Sequence, residues 1–288
     1  LKGGKAQSSG RGDVPEMERA DKEVSVAAMK EYYKQFDPRS YLRYNYIPPR
    51  ADFTRTDSIV PWKLSCLHLI VFHAIGDVHG RTLIDIGSGP TIYQLLSACE
   101  HFSNIIMTDF LEVNRQEIRR WLHGEPDTFD WTAFLQHACE LEGKGCSWPE
   151  KAKRLRTAIH DVIPIDVHSP NPLHPYSLPE LADCLVSSFC LEAVSPDRTS
   201  FQKALTNLGT LLKPNGHFLM IGALDESYYQ VADGVHIPVV PVDQEFVSAT
   251  LKSCGYEICT FQCYTLPQDM KVGVDDVAGI FFVKAKKK

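Results

Sequence analysis

The sequence predicts an α/β domain with a doubly wound, mostly parallel sheet, and three observations carry that expectation. Short, nearly continuous apolar runs alternate with amphipathic helical stretches from residue 82 onward, which suits strands covered on both faces. The first run closes in a glycine turn, Gly87-Ser-Gly89. Each of the first five runs ends in that turn or in an acid, at the place where open α/β sheets bind ligands. A chain of 288 residues, 44% of them hydrophobic, is enough for one such domain with additions.

Residues 1–24 are polar and hold no apolar stretch, so a disordered tail is expected rather than a signal peptide. Residues 25–46 read as helical. Asp37-Pro38 interrupts them and Pro48-Pro49 ends them, because proline lacks an amide hydrogen and restricts its predecessor. A helix over 61–75 follows, with Pro61 in its first turn. The alternation then runs strand 82–86, helix 91–101, strand 105–108, helices 111–122, 131–142 and 149–161, and strands 163–166 and 184–188. A helix over 197–212 ends at Lys213-Pro-Asn-Gly216, a stop-and-turn signal before strand 217–221. Residues 227–242 break the rhythm and read as an inserted loop or hairpin over the sheet's edge. A helix over 243–254 ends at Gly255, and β-rich runs lie at 256–265 and 279–285.

Charge and cysteine usage narrow the class. The formal net charge of −6 argues against a nucleic-acid partner. Lys284, Lys286, Lys287 and Lys288 form the only basic cluster and read as a solvated tail. Nine cysteines are scattered without a CxxC pair or zinc spacing, which suits a reduced, cytosolic protein with no metal. No apolar run approaches the roughly 20 residues of a membrane helix. A monomer acting on a small molecule is expected.

The strand-end residues suggest a ligand. Gly87 and Gly89 let the backbone pass close under it. Asp109 suits a carboxylate accepting both ribose hydroxyls. Asp166 is placed for an adenine edge, with Val167 against its face. Phe189 and Glu192 follow the fourth strand; Asp225 and Glu226 follow the fifth. A dinucleotide turn needs a third glycine, which is absent, and Pro90 removes an amide that a pyrophosphate would use. S-adenosylmethionine has no phosphate and fits better. Acids at strand ends also cap helices, so it is the joint pattern that carries the reading.

Several segments are more specific: Tyr41-Leu-Arg-Tyr-Asn-Tyr46, Asp85 through Cys99, Asp109 through Glu117, Phe189-Cys-Leu-Glu-Ala-Val-Ser-Pro-Asp197 and Gly273-Val-Asp-Asp-Val277. From about Tyr33 onward the chain resembles the phenylethanolamine N-methyltransferases, grouped with nicotinamide and indolethylamine N-methyltransferases in one small-amine family. The resemblance implies a seven-stranded sheet whose last strand is antiparallel, in a methyltransferase domain over 25–288 with an N-terminal cover over 25–77. It implies cofactor contacts from Tyr33, Tyr41, Tyr46, Gly87, Tyr93, Asp109, Phe110, Asn114, Asp166 and Val167. It implies acceptor contacts from Asn45, Arg50, Lys63, Phe189, Glu192, Glu226, Tyr229 and Asp275. Two departures stand out: Ser188 where alanine is expected, and a different segment over 233–240.

Methyl transfer to an alkylammonium requires a proton to leave. Glu192 and Glu226 are the candidates to hold the ammonium and accept or relay that proton. Asp275 would hold the amine or a hydroxyl, and Phe189 and Tyr229 would sandwich an aromatic ring. Such an acid-rich site suits noradrenaline, giving adrenaline, better than neutral nicotinamide. The alternatives are another small amine such as tryptamine or nicotinamide, an NAD-dependent oxidoreductase, or a binding protein without turnover.

Overall fold

The computed structural model describes residues 25–72, 77–143 and 145–288. The expected tail over 1–24 lies outside the described residues. Seven strands form one sheet: β1 (Thr82–Ile86), β2 (Asn104–Asp109), β3 (Ile159–Pro164), β4 (Ala182–Ser188), β5 (Leu212–Leu224), then, after a separate hairpin of β6 (Tyr228–Ala232) and β7 (Val235–Pro238), β8 (Tyr256–Thr265) and β9 (Gly279–Lys287). The spatial order is β3-β2-β1-β4-β5-β9-β8. β9 runs antiparallel between β5 and β8, and the ladders among β1 to β5 are parallel. The chain winds outward from β1 to β3, then crosses back to β4. That switch opens a crevice at the carboxyl ends of β1 and β4, the place where such sheets bind ligands.

Helices cover both faces. The N-terminal cover is α1 (Val26–Tyr32), α2 (Pro38–Asn45) and α3 (Ile59–Ser65). Ser25 and Asp37 cap α1 and α2, accepting from the amides of Ala28 and Arg39. α4 (Glu112–Leu122), α5 (Thr132–Glu142) and α6 (Trp148–Ala158) pack on one side with the cover, while α8 (Arg198–Gly209) and α9 (Gln244–Ser253) pack on the other. A single turn, α7 (Leu191–Val194), follows β4.

Several sequence expectations change. Residues 91–101 form two short 3₁₀ turns, Tyr93–Leu95 and Ala98–Glu100, instead of a helix. The Thr91 hydroxyl donates to the Ser88 carbonyl, and Gln94 Nε2 donates to Asp85 and to the Thr91 carbonyl. These side-chain bonds compete with a helical ladder. The helix expected over 61–75 begins at Ile59 and widens into a π-helical stretch over Cys66–Phe72. β3 begins at Ile159, inside the span expected to be helical. Lys213-Pro-Asn-Gly216 is absorbed into β5 as a bulge: the register with β4 jumps between Ala182↔Leu212 and Cys184↔His217, and Asn215 takes φ 64°. Lys284, Lys286 and Lys287 belong to β9 and are not a solvated tail, while Lys288 follows the strand and is exposed; Lys284 Nζ lies 2.6 Å from Asp77, and Lys287 Nζ donates to the carbonyls of Gly209 and Leu212.

The hairpin is real, but it does not lie over the sheet's edge. It packs on the cover, where Met29 meets Val231 and Ile237 and the Asp37 amide donates to the Val231 carbonyl. The edge strands are β3 and β8.

Candidate active site

Two cavities lie side by side beneath the cover. The larger, about 850 Å³, runs over the glycine turn and the ends of β2, β3 and β4. Gly87 has φ 65°, and a Cβ there would sit 2.4 Å from Cys190 Sγ. Gly89 has open space around it but φ 57°, a conformation that favours glycine. Asp109, 7% exposed, accepts from the amides of Gly89 and Leu111 at 2.8 Å and from Asn114 Nδ2 at 3.1 Å. Burial pushes its carboxyl up, against the pull of those donors. Asn114 Oδ1 is buried with no protein partner. Arg115 Nη1 donates to the carbonyls of Asp109 and Phe110 and fixes the turn after β2.

Asp166 and Val167 line the same cavity past β3, and Tyr33, Tyr41 and Tyr46 close it from the cover. The Tyr33 hydroxyl donates to the Ala193 carbonyl at 2.7 Å and lies 2.8 Å from the Tyr229 hydroxyl. Tyr93 is different. It lines neither cavity; its ring packs 5.4 Å from that of Tyr46, and its hydroxyl is buried without a partner. Among the described lining residues, the one lysine, Lys30, is already paired with Asp166. A buried carboxylate at Asp109, a half-buried one at Asp166, a buried amide oxygen and a side-chain-free turn fit a neutral nucleoside with an amino-acid end, and offer little to a pyrophosphate.

The smaller cavity, about 580 Å³, brings together Asn45, Arg50, Lys63, Phe189, Glu192, Glu226, Tyr229 and Asp275. It shares Tyr41, Tyr46, Phe189, Ala193 and Tyr229 with the first. Phe189 takes φ 53° at the end of β4, which turns its ring into that common wall.

Glu192 is 2% exposed. Its Oε1 accepts from the Ala223 amide at 2.8 Å, and its Oε2 has no partner. Burial raises its carboxyl to about 7. Glu226 is pushed well above the usual carboxylate range by burial and by the charges of Asp275 and Glu192. Asp275 is differently occupied: Arg50 Nη1 and Nη2 reach its two oxygens at 2.6 and 2.8 Å. Arg50 also donates to Asn45 Oδ1 and the Met270 carbonyl, so this pair is a fixed strut in the wall. Lys63 Nζ lies 4.3 Å from the ring centre of Tyr93, 4.9 Å from that of Tyr46 and 5.0 Å from that of Phe189. Burial, and secondarily Arg50, lower its ammonium to about 7.

Sequence reasoning missed two supports. A Cβ on Gly222 would sit 2.6 Å from the Phe281 ring and 2.8 Å from Glu192 Oε1. A glycine inside an apolar strand was the available signal. Asp85, 1% exposed and raised to about 7 by burial, accepts from Gln94 Nε2 at 2.6 Å beneath the glycine turn. An acid inside the first apolar run was its signal.

The chain is similar to known methyltransferases. Phenylethanolamine N-methyltransferase of Mus musculus is 55% identical over 268 residues, 93% of this chain and 90% of that protein. Nicotinamide N-methyltransferase of Homo sapiens is 39% identical, covering 89% and 94%. A crystal structure of magnesium protoporphyrin IX methyltransferase from Synechocystis PCC 6803 with bound SAH matches with a TM-score of 0.54 at 12% identity, covering 91% of this chain and 99% of that one. That likeness shows the fold, the mostly parallel sheet of the S-adenosylmethionine-dependent methyltransferases. The model of the NNMT/PNMT/TEMT family matches residues 23–288, and with that match spanning both cavities the chain belongs to this family.

Proposed function

We propose that this chain methylates the amine of noradrenaline or a related phenylethanolamine, giving adrenaline from noradrenaline. One observation carries the reading: Glu192, Glu226 and Asp275 face a single cavity that shares a wall with the larger one over the glycine turn. Arg50 neutralises Asp275, which leaves two carboxyls for a cationic amine. S-adenosylmethionine supplies the electrophilic methyl group when bound, held by Asp109, Asn114, Asp166 and the glycine turn.

The chain's own groups do three things. Phe189 and Tyr229 offer ring faces at the common wall for an aromatic acceptor. The two carboxyls hold the ammonium, and its proton passes to a carboxylate oxygen; Glu192 Oε2 has no competing protein donor. A carboxyl near 7 is suited to this transfer at neutral pH, because it is available in both protonation states. The closed walls orient the amine, and orientation of this kind supplies roughly 7–11 kcal/mol in favourable cases.

A neutral ring nitrogen has no proton to lose and gains little from these carboxyls, which separates nicotinamide from the acceptors favoured here. Location in the cytosol and a monomeric state belong to the same reading, the first supported by nine free cysteines. A labelled-methyl assay with noradrenaline, octopamine, phenylethanolamine, tryptamine and nicotinamide tests it. The β-hydroxylated phenylethylamines are expected to turn over fastest; faster turnover of nicotinamide overturns the assignment.

A further inference from the structure

We infer that Lys30 is a positioning residue for this reaction: its ammonium ties the N-terminal helix to Asp166 across the mouth of the larger cavity and sets the carboxylate that meets the adenine. The inference rests on the reading of that cavity as the cofactor site.

Lys30 sits on α1, and Asp166 follows β3, 136 residues later. Lys30 Nζ lies 2.6 Å from Asp166 Oδ2, while Oδ1 accepts from the His168 amide at 3.1 Å. Donors on both oxygens fix the rotation of the carboxylate. Each oxygen keeps a second lone pair, enough to receive an exocyclic amino group. The same ammonium lies 5.1 Å from the ring centre of Phe110, the residue after Asp109. Lys30 therefore reaches the segments after β2 and after β3, the two walls of this end of the cavity.

The other described anchors of the cover's first segment reach the hairpin and α7. Met29 packs against Val231 and Ile237, and Tyr33 bonds Ala193 and Tyr229. Lys30 is the polar tie at the adenine end. Its side chain is 37% exposed and that of Asp166 33%, and ion pairs so open to water add little to global stability. Its effect belongs in cofactor affinity.

The test compares Lys30→Met, which keeps the stem, Lys30→Arg, Asp166→Asn and the Lys30→Met/Asp166→Asn double variant. Lys30→Met is expected to raise KM for S-adenosylmethionine and Kd for S-adenosylhomocysteine about fivefold at low salt, with kcat, acceptor KM and melting temperature nearly unchanged. Lys30→Arg restores affinity. The loss shrinks in high salt, where the screening length falls to about 3 Å at 1 M, and Lys30→Met adds nothing in the Asp166→Asn background. Unchanged or tighter cofactor binding in Lys30→Met overturns the inference, as do additive losses in the double variant; either leaves the cofactor reading standing. An unsubstituted chain that binds no S-adenosylhomocysteine overturns that reading instead, before any variant is compared.

Discussion

Burying Glu192 has two consequences that pull in opposite directions. A carboxyl near 7 is poised for proton transfer, but its ionised form sits unpartnered at Oε2. Its folded-state value lies above the ordinary glutamate value of 4.5, so its contribution to stability is fully present below pH 4.5 and is lost as pH rises through about 7. At about 1.4 kcal/mol per unit, the loss by pH 8 is on the order of 3 kcal/mol. Glu192→Gln is therefore expected to be more stable than the parent at pH 8 by about 2–3 kcal/mol, with a smaller gain at pH 5.5, as read by denaturant titration. The same variant should lose kcat at pH 7 and recover as free amine accumulates at higher pH. Full activity at pH 7 would remove Glu192 from the chemistry. Gly222→Ala is the companion test. Its methyl group must displace either the Phe281 ring or Glu192, and kcat should fall at least tenfold with cofactor KM unchanged. The strand-end acids were legible because each closes an apolar run. Gly222 was not, because its neighbours are fixed only by the pairing of β5 with β9 and by the α7 turn.

At the scale of elements, the hairpin and the loop before β9 form one wall of the smaller cavity. Asp276 holds their junction, accepting from the Ser227 amide at 2.8 Å, the Ser227 hydroxyl at 2.5 Å and the Tyr228 amide at 3.4 Å. Tyr229 bridges to Asp275, and the Gln230 amide donates to the Val274 carbonyl. Asp276 itself lines neither cavity, and Asp276→Ala releases the root of β6. Acceptor KM is expected to rise about fivefold or more while cofactor KM stays within twofold; equal changes in both would show that the hairpin does not act on the acceptor alone. Strands read well from the sequence wherever apolar continuity was strong, as in β1 and β4. The 91–101 stretch read badly because hydrogen bonds from Thr91 and Gln94, invisible in hydrophobic periodicity, decide its backbone. The hairpin's existence was legible from a broken rhythm. Its resting place was not, since that depends on a buried methionine 202 positions earlier, Met29 against Val231.

For the whole molecule, the common wall of Tyr41, Tyr46, Phe189, Ala193 and Tyr229 makes the two cavities one device. Ordering these side chains for one ligand prepares them for the other, and such coupling is reciprocal. A phenylethanolamine should bind at least fivefold tighter in calorimetry when S-adenosylhomocysteine is present, and S-adenosylhomocysteine should gain by the same factor from the amine; equal affinities in both titrations would contradict it. The doubly wound sheet was predictable from alternation, and the joining of the cavities was not, because it depends on the cover folding back over sequence-distant strand ends. The placement of β9 adds a dimension of time. It is the last strand in the sequence, yet it lies inside the sheet with β5 on one side and β8 on the other. On a growing chain, both neighbours emerge first and wait with unpaired edges, a state prone to misassembly. Phe281, which closes the space beside Gly222 and Glu192, arrives with β9. The pocket around Glu192 is thus completed only once β9 has emerged, long after the turn of Gly87 and Gly89 has left the ribosome.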